Sequence, residues 1–297
     1  MARKSDLWQE ITDKYFQDMD PRALDHFREP DSVNKRLASW SPTDNSSRHF
    51  KFLLWNALEG MDDDFFTYTR CIRNRSLGNP TTVRYRTMDI DLDYMLAVDE
   101  LLFLEKQNRI LSRCRTVVEV GAGFGRTAHA ILENFSQIDK YTIIDLPEML
   151  QLSRLYLKTV IPERFSSLEF LSALDGYSVE TTDLFINIDS FQEMEPGTIR
   201  EYYDNVISRC RNIYIKNPVG KYLPEEFHIH NSLKSDKPFR LGLCLNSYTV
   251  CDQEAHHIMV AEYLKNYSLG GLELIDQRRC ALFHYYHHAL YINPVID

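Results

Sequence analysis

The 297-residue sequence contains no CxxC pair, no run of basic residues and no internal repeat. It also lacks an apolar stretch of the roughly 18 residues needed to cross a bilayer. Each absence removes a class of function. The six cysteines, Cys71, Cys114, Cys210, Cys244, Cys251 and Cys280, have spacings that suit neither a zinc motif nor a disulfide framework. Reduced thiols are expected, and no metal site is assigned. With 34 basic against 43 acidic side chains the net charge is −9. Nucleic-acid binding needs Lys and Arg to displace phosphate counterions, so no such partner is expected. The opening MARKSDLWQEITDKYF carries charge where a signal peptide has an apolar core. A cytoplasmic chain with no membrane partner is expected, and small-molecule substrates are left.

What is present changes character near residue 110. Residues 1–110 read as a helical region, a lid or a dimerisation surface. Leu7, Trp8, Ile11, Tyr15 and Phe16 recur at helical spacing, RHFKFLLWNALEG (48–60) stops at Gly60, and DYMLAVDELLFLEKQNRIL (93–111) reads as a long helix. Leu77-Gly78-Asn79-Pro80 marks a turn. Asp62-Asp63-Asp64 reads as a solvated helix start rather than a metal site. From 111 to 297, β-rich runs alternate with helices: RTVVEV, TAHAILENF, YTIID, LPEMLQLSRLYLKTV, SLEFLSA, DLFINID, PGTIREYYDNVISRC and NIYIKNP. Such alternation builds a parallel sheet covered on both faces, with ligands at the carboxyl ends of its strands. Residues 219–250 read as an irregular substrate-side excursion. EAHHIMVAEYLKNY then reads as a helix, and GLELIDQRR and ALFHYYHHALYI as two closing strands.

The strongest local signal is VVEVGAGFG, Val117 to Gly125. Gly121 and Gly123 allow a tight turn and close backbone approach, and free amides of the following helix can meet ligand oxygens. A nicotinamide-dinucleotide loop is GxGxxG. Here the third glycine comes one residue early and Arg126 follows, so the GxGxG pattern fits S-adenosylmethionine (SAM) better. Asp145, ending YTIID, is placed to accept hydrogen bonds from both ribose hydroxyls; the alternative is an N-cap for the helix at Pro147. Glu119, Gly121, Ala122, Gly123, Gly125, Asp145 and Leu146 make one part of the expected cofactor site. Ser172, Ala173 and Leu174 end the third strand on the adenine side, with Asp175 beside them. Asn187 ends the fourth strand near the methyl-donor sulfur.

VVEVGAGFGRTAHAIL, YTIIDLPEML, DLFINIDSFQEM and NIYIKNP follow one another at intervals that resemble the bacterial sugar O-methyltransferase family. The resemblance covers roughly residues 85–225, and SFQEM (Ser190–Met194) is its more specific part. It implies a class I methyltransferase fold, a Rossmann-like sheet with an antiparallel last strand. It also implies methyl transfer from SAM to a hydroxyl, leaving S-adenosylhomocysteine (SAH), with a sugar or glycosylated metabolite as acceptor. A hydroxyl is a poor nucleophile until it loses its proton, so a base is sought. Asp189 and Glu193 follow the fourth strand; His228 and His230 stand in the excursion on one face of an extended segment. Magnesium, through Asp175, Asp189 and Glu193, is an option that no recognised motif supports. Asn217 is placed to position substrate. His256-His257 and HYYHH (284–288) read as aromatic packing rather than metal ligands. N- or C-methylation on the same fold, a dinucleotide-dependent oxidoreductase and a non-catalytic SAM-binding protein are the other readings, and a homodimer is an option.

Overall fold

The computed structural model of the protein describes residues 46–175, 179–223 and 240–296. The chain falls into two compact units, 1–59 and 60–297. The described part of the first is one helix, α1 (Ser46–Glu59), in which Trp55 Nε1 donates to Glu59 Oε1. The helical pattern at Leu7–Phe16 lies outside the described residues.

The second unit opens with α2 (Asp63–Cys71). Asp62 caps it, accepting from Phe65 N at 3.0 Å, while Asp62 and Asp63 pair with Lys106 and Arg86. The three aspartates therefore start a solvated helix, as expected. The next residues differ from the helical reading. They form an antiparallel hairpin of β1 (Thr82–Tyr85) and β2 (Met88–Asp91). Its turn residues Arg86 and Thr87 have φ of 43° and 69°. Two-residue hairpin turns favour positive φ, but usually announce it with Asn or Gly. This turn carries neither, so the sequence gives no hairpin signal. Asp91 caps α3 (Leu92–Glu105), and Arg109, with φ of 51°, separates it from the single turn α4 (Ile110–Arg113). The long helix expected over 93–111 is thus two.

From there strands and helices alternate as expected. They are β3 (Thr116–Val120), α5 (Arg126–Asn134), β4 (Lys140–Asp145), α6 (Pro147–Val160), β5 (Leu168–Ser172), β6 (Thr182–Ile188), α7 (Pro196–Asn205) and β7 (Cys210–Pro218). A short pair, β8 (Lys221–Tyr222) and β9 (Ser247–Tyr248), precedes α8 (Gln253–Tyr267), β10 (Glu273–Arg279) and β11 (Tyr286–Ile292). The main sheet has seven strands in the order β10-β11-β7-β6-β3-β4-β5. β3, β4, β5, β6 and β7 are parallel; β11 runs antiparallel to both β7 and β10. This is a Rossmann-like α/β sheet with an antiparallel last strand.

Side-chain parity divides the sheet's two faces. Val118, Val120, Phe185, Ile213, Ile215, Ala289 and Tyr291 pack with Ile199 and Tyr202 of α7 and with Met259, Tyr263 and Tyr267 of α8 in one apolar core. The opposite face carries Glu119, Tyr214, Lys216 and His288, and meets α3. That helix is buried along nearly its whole length, including Asp99 and Glu100. Charges buried there need partners, and these partners build the site.

Candidate active site

The three glycines of the loop do different work. All have positive φ, 77° at Gly121, 57° at Gly123 and 92° at Gly125. A Cβ on Gly121 would lie 2.2 Å from Ser190 Oγ, and one on Gly125 would lie 2.8 Å from Leu157 Cδ1. Those two glycines let neighbouring elements close on the loop. A Cβ on Gly123 would meet nothing within 4 Å. The loop's open side is therefore at Gly123. Gly125 precedes α5 without a side-chain cap, so the helix's first-turn amides have no side-chain acceptor there.

Asp145 sits against this loop. Its Oδ2 accepts from Gly123 N at 3.0 Å and its Oδ1 from Leu146 N at 2.8 Å. Leu146, not Asp145, is the N-cap of α6, with Pro147 in the first turn, so the capping alternative does not hold. Partial burial raises the Asp145 pKa above the usual carboxylate value. Ser172 pairs with Asp145 across β4 and β5, Ala173 N donates to Asp145 O, and Leu174 is 72% exposed. These residues flank Asp145 on the far side from the cavity described next. Asp175 beside them is exposed.

A cavity of about 350 Å³ opens at the carboxyl ends of β3, β6 and β7. Glu119, Gly121, Ala122 and Gly123 form one wall, and Ile188, Asp189, Ser190 and Glu193 another. Arg126, Lys216, Phe283 and Tyr286 also face it. Glu119 is buried and accepts from Tyr141 Oη at 2.7 Å; loss of solvent pushes its pKa up to about 7. Asp189 follows β6 with φ of 66°, a conformation uncommon outside glycine. Its Oδ1 accepts from Tyr286 Oη at 2.5 Å and from Gln192 Nε2. Glu193 stands at the exposed rim, its pKa raised by the surrounding atoms and by Asp189. Two carboxylates and a tyrosine thus line the same cavity as the loop. His228 and His230 lie outside the described residues.

Two expectations are corrected by parity. Asn187 and Asn217 point to the α8 face, not into the cavity. Asn187 Nδ2 donates to Val120 O and to Ser190 Oγ, and its Oδ1 accepts from Asn217 Nδ2 at 2.9 Å. Asn217 N donates to Tyr263 Oη. Both side chains fasten strand ends, and neither lines the cavity. The neighbour Lys216, on the opposite face, lines the cavity instead.

The sequence reading missed the carboxylate behind this wall. Glu100 of α3 is fully buried and accepts from Lys216 Nζ at 2.7 Å and from Arg126 at 2.8 Å. Arg126 also donates to Asp93 O. The two cations hold the Glu100 carboxyl below its usual pKa despite its burial. One signal was present. Asp99-Glu100 interrupts an otherwise apolar run, LAVDELLFL, and a charge pair there needs buried partners.

No protein-family model and no curated protein matches the chain. Solved structures similar to it include the [4+2]-cyclase SpnF, at 14% identity over 69% of this chain and 84% of that one, with a TM-score of 0.46. The mitomycin 7-O-methyltransferase MmcR is 13% identical over 81% of this chain and 68% of that one, TM-score 0.44. A SAM dependent methyltransferase from Aquifex aeolicus is 15% identical over 78% of this chain and 100% of that one, TM-score 0.43. Likenesses at this level carry no argument about chemistry, which rests on the chain's own topology and side chains.

Proposed function

We propose that residues 60–297 bind SAM and transfer its methyl group to a hydroxyl of a small acceptor. One observation carries this reading: an open glycine loop with a strand-end carboxylate beside it shares a cavity with two acidic side chains and a tyrosine. The loop and its partners suit SAM. Gly123 leaves backbone room, Asp145 presents a carboxylate to ribose hydroxyls, and Glu119, pushed up to about 7, gains a counter-charge when an ammonium stands beside it. When bound, SAM supplies an electrophilic methyl carbon on a sulfonium.

The remaining work falls to the chain's own residues. The acceptor oxygen must be held in line with that carbon, within about 3–3.5 Å. Glu193, with its raised pKa and its place at the rim, takes the acceptor's proton. Asp189 is held by Tyr286 and Gln192 and orients the hydroxyl. Lys216 and Arg126, fixed on Glu100, keep the wall rigid. Among apolar and aromatic neighbours, Asp93, Asp189, Glu193 and Lys216 give the cavity polar groups that suit a polyhydroxylated acceptor, so a sugar or glycosylated metabolite is the acceptor class.

The test is calorimetric titration with SAM, SAH and NAD⁺. Binding of the first two at micromolar order is expected, and none of NAD⁺. Asp145→Asn keeps an acceptor for Gly123 N but loses charge, and is expected to weaken SAM roughly tenfold or more. Binding of NAD⁺ alone sinks the reading. Methyl transfer to amines but not to hydroxylated acceptors would move it to N-methylation, in which Glu193→Gln retains full activity.

A further inference from the structure

Beyond the cavity wall, three side chains of different chemistry meet in the interior. Asp99 comes from α3, Cys280 from the connection after β10 and His288 from β11. They are 2%, 1% and 0% exposed. His288 Nε2 lies 3.0 Å from Asp99 Oδ2, and Cys280 Sγ lies 3.7 Å from the same oxygen. One donor atom from each falls within 4.8 Å of the other two, and this is the sole such group among the described residues.

Two of the three separations lie near a metal's. A tetrahedral zinc ion with bonds of about 2.0 Å to nitrogen and oxygen and about 2.3 Å to sulfur holds N and O about 3.3 Å apart, and O and S about 3.5 Å apart. Imidazole, thiolate and carboxylate are all zinc ligands. The outer partners fit as well. Tyr214 Oη lies 2.8 Å from His288 Nδ1, and Arg278 donates to the other Asp99 oxygen at 2.5 Å. Such contacts fix the ring and the carboxylate, with Oδ2 turned to His288 and Cys280.

We propose that Asp99, Cys280 and His288 bind a zinc ion that pins the 280–286 connection to α3. On binding, a Zn–S bond forms and one proton leaves Cys280 Sγ for solvent. His288 binds as neutral imidazole through the Nε2 lone pair, so Nδ1–H donates to Tyr214 Oη. Without the metal the tautomer is reversed: Nε2–H donates to Asp99, and Tyr214 Oη–H donates to Nδ1. The site stands apart from the cavity, since none of the three ligands lines it. It bears on the cavity through packing, because Cys280 clusters with Leu96 and Tyr286, which do line it. The inference stands whether or not the protein binds SAM.

Burial bars entry to the folded chain, so loading is tested on protein made in zinc-supplemented medium and on protein refolded with Co²⁺. After a chelator wash, elemental analysis is expected to give about one zinc per chain. The cobalt form is expected to show a near-ultraviolet thiolate-to-metal band, which needs no variant. Cys280→Ser loses the band, His288→Gln loses the metal, and Cys244→Ser, another buried cysteine outside the cluster, retains both. Folded wild-type protein with no retained zinc or cobalt overturns the proposal and leaves a hydrogen-bonded Tyr214–His288–Asp99 chain. So does metal that stays unchanged in Cys280→Ser and His288→Gln.

Discussion

Replacing either of two loop glycines by alanine is expected to fail in opposite ways. In Gly121→Ala the new methyl lies 2.2 Å from Ser190 Oγ and 2.3 Å from Ser190 Cβ. Cβ is not the flexible end of a side chain, so the turn at residue 190 must move. Ser190 Oγ donates to Val120 O at 3.0 Å and accepts from Asn187 Nδ2 at 2.6 Å, and both bonds are strained or lost. A left-handed alanine costs about 1 kcal/mol, and each disrupted buried hydrogen bond about 1–2 kcal/mol. The sum is about 3–5 kcal/mol, a large share of an ordinary domain's stability. In Gly123→Ala the backbone cost is the same, but the methyl meets nothing within 4 Å. The fold loses about 1 kcal/mol, while the methyl occupies the space left for a cofactor. Urea unfolding and SAM titration of both variants separate the two effects. Gly121→Ala should lower the unfolding midpoint several times more than Gly123→Ala. Gly123→Ala should fold normally and bind SAM at least tenfold more weakly. Equal midpoints for the two variants would refute the reasoning.

Other outcomes follow from the same site. Glu119 has its pKa raised from 4.5 to about 7 by burial, so the folded state holds its proton more tightly than the unfolded chain. Its contribution to stability therefore falls as pH rises from about 4.5 to 7; Glu119→Gln should leave stability unchanged at pH 4 and raise it by about 3 kcal/mol at pH 8, measured by urea unfolding. Glu193→Gln should lower kcat by 10²–10⁴-fold in order of magnitude with KM little changed; steady-state kinetics with a methylated product readout decides it. Lys216→Met leaves Glu100 buried with one partner fewer and should cost about 3–5 kcal/mol, with much of it recovered in Lys216→Met/Glu100→Gln. Thermal and urea unfolding check that pair, and an unchanged single variant would show the ion pair to be dispensable.

The order of strands and helices after residue 115 was legible because glycine, proline and apolar runs punctuate it, and most elements match the sequence reading within two residues. The closing segment was less so. ALFHYYHHALYI reads as one strand, yet β11 begins only at Tyr286, because the aromatic residues before it pack in a turn. The hairpin at Thr82–Asp91 was invisible, since its turn residues Arg86 and Thr87 are not turn formers.

Sequence alone determined that the loop Gly121–Gly125, Asp145 and the pair Asp189 and Glu193 stand at or just past strand ends, because each is tied to its strand by short spacing. Which neighbours face the cavity was decided only by tertiary structure. Strands buried on both faces have no alternation of polar and apolar residues, so nothing in NIYIKNP says that Lys216 faces the cavity and Asn217 the core. Partners far apart in the chain are equally silent. Glu100 and Lys216 are 116 residues apart, and Asp99 and His288 are 189 apart. Their meeting follows from the packing of α3 across β7 and β11, a placement that strand order sets and local sequence does not encode.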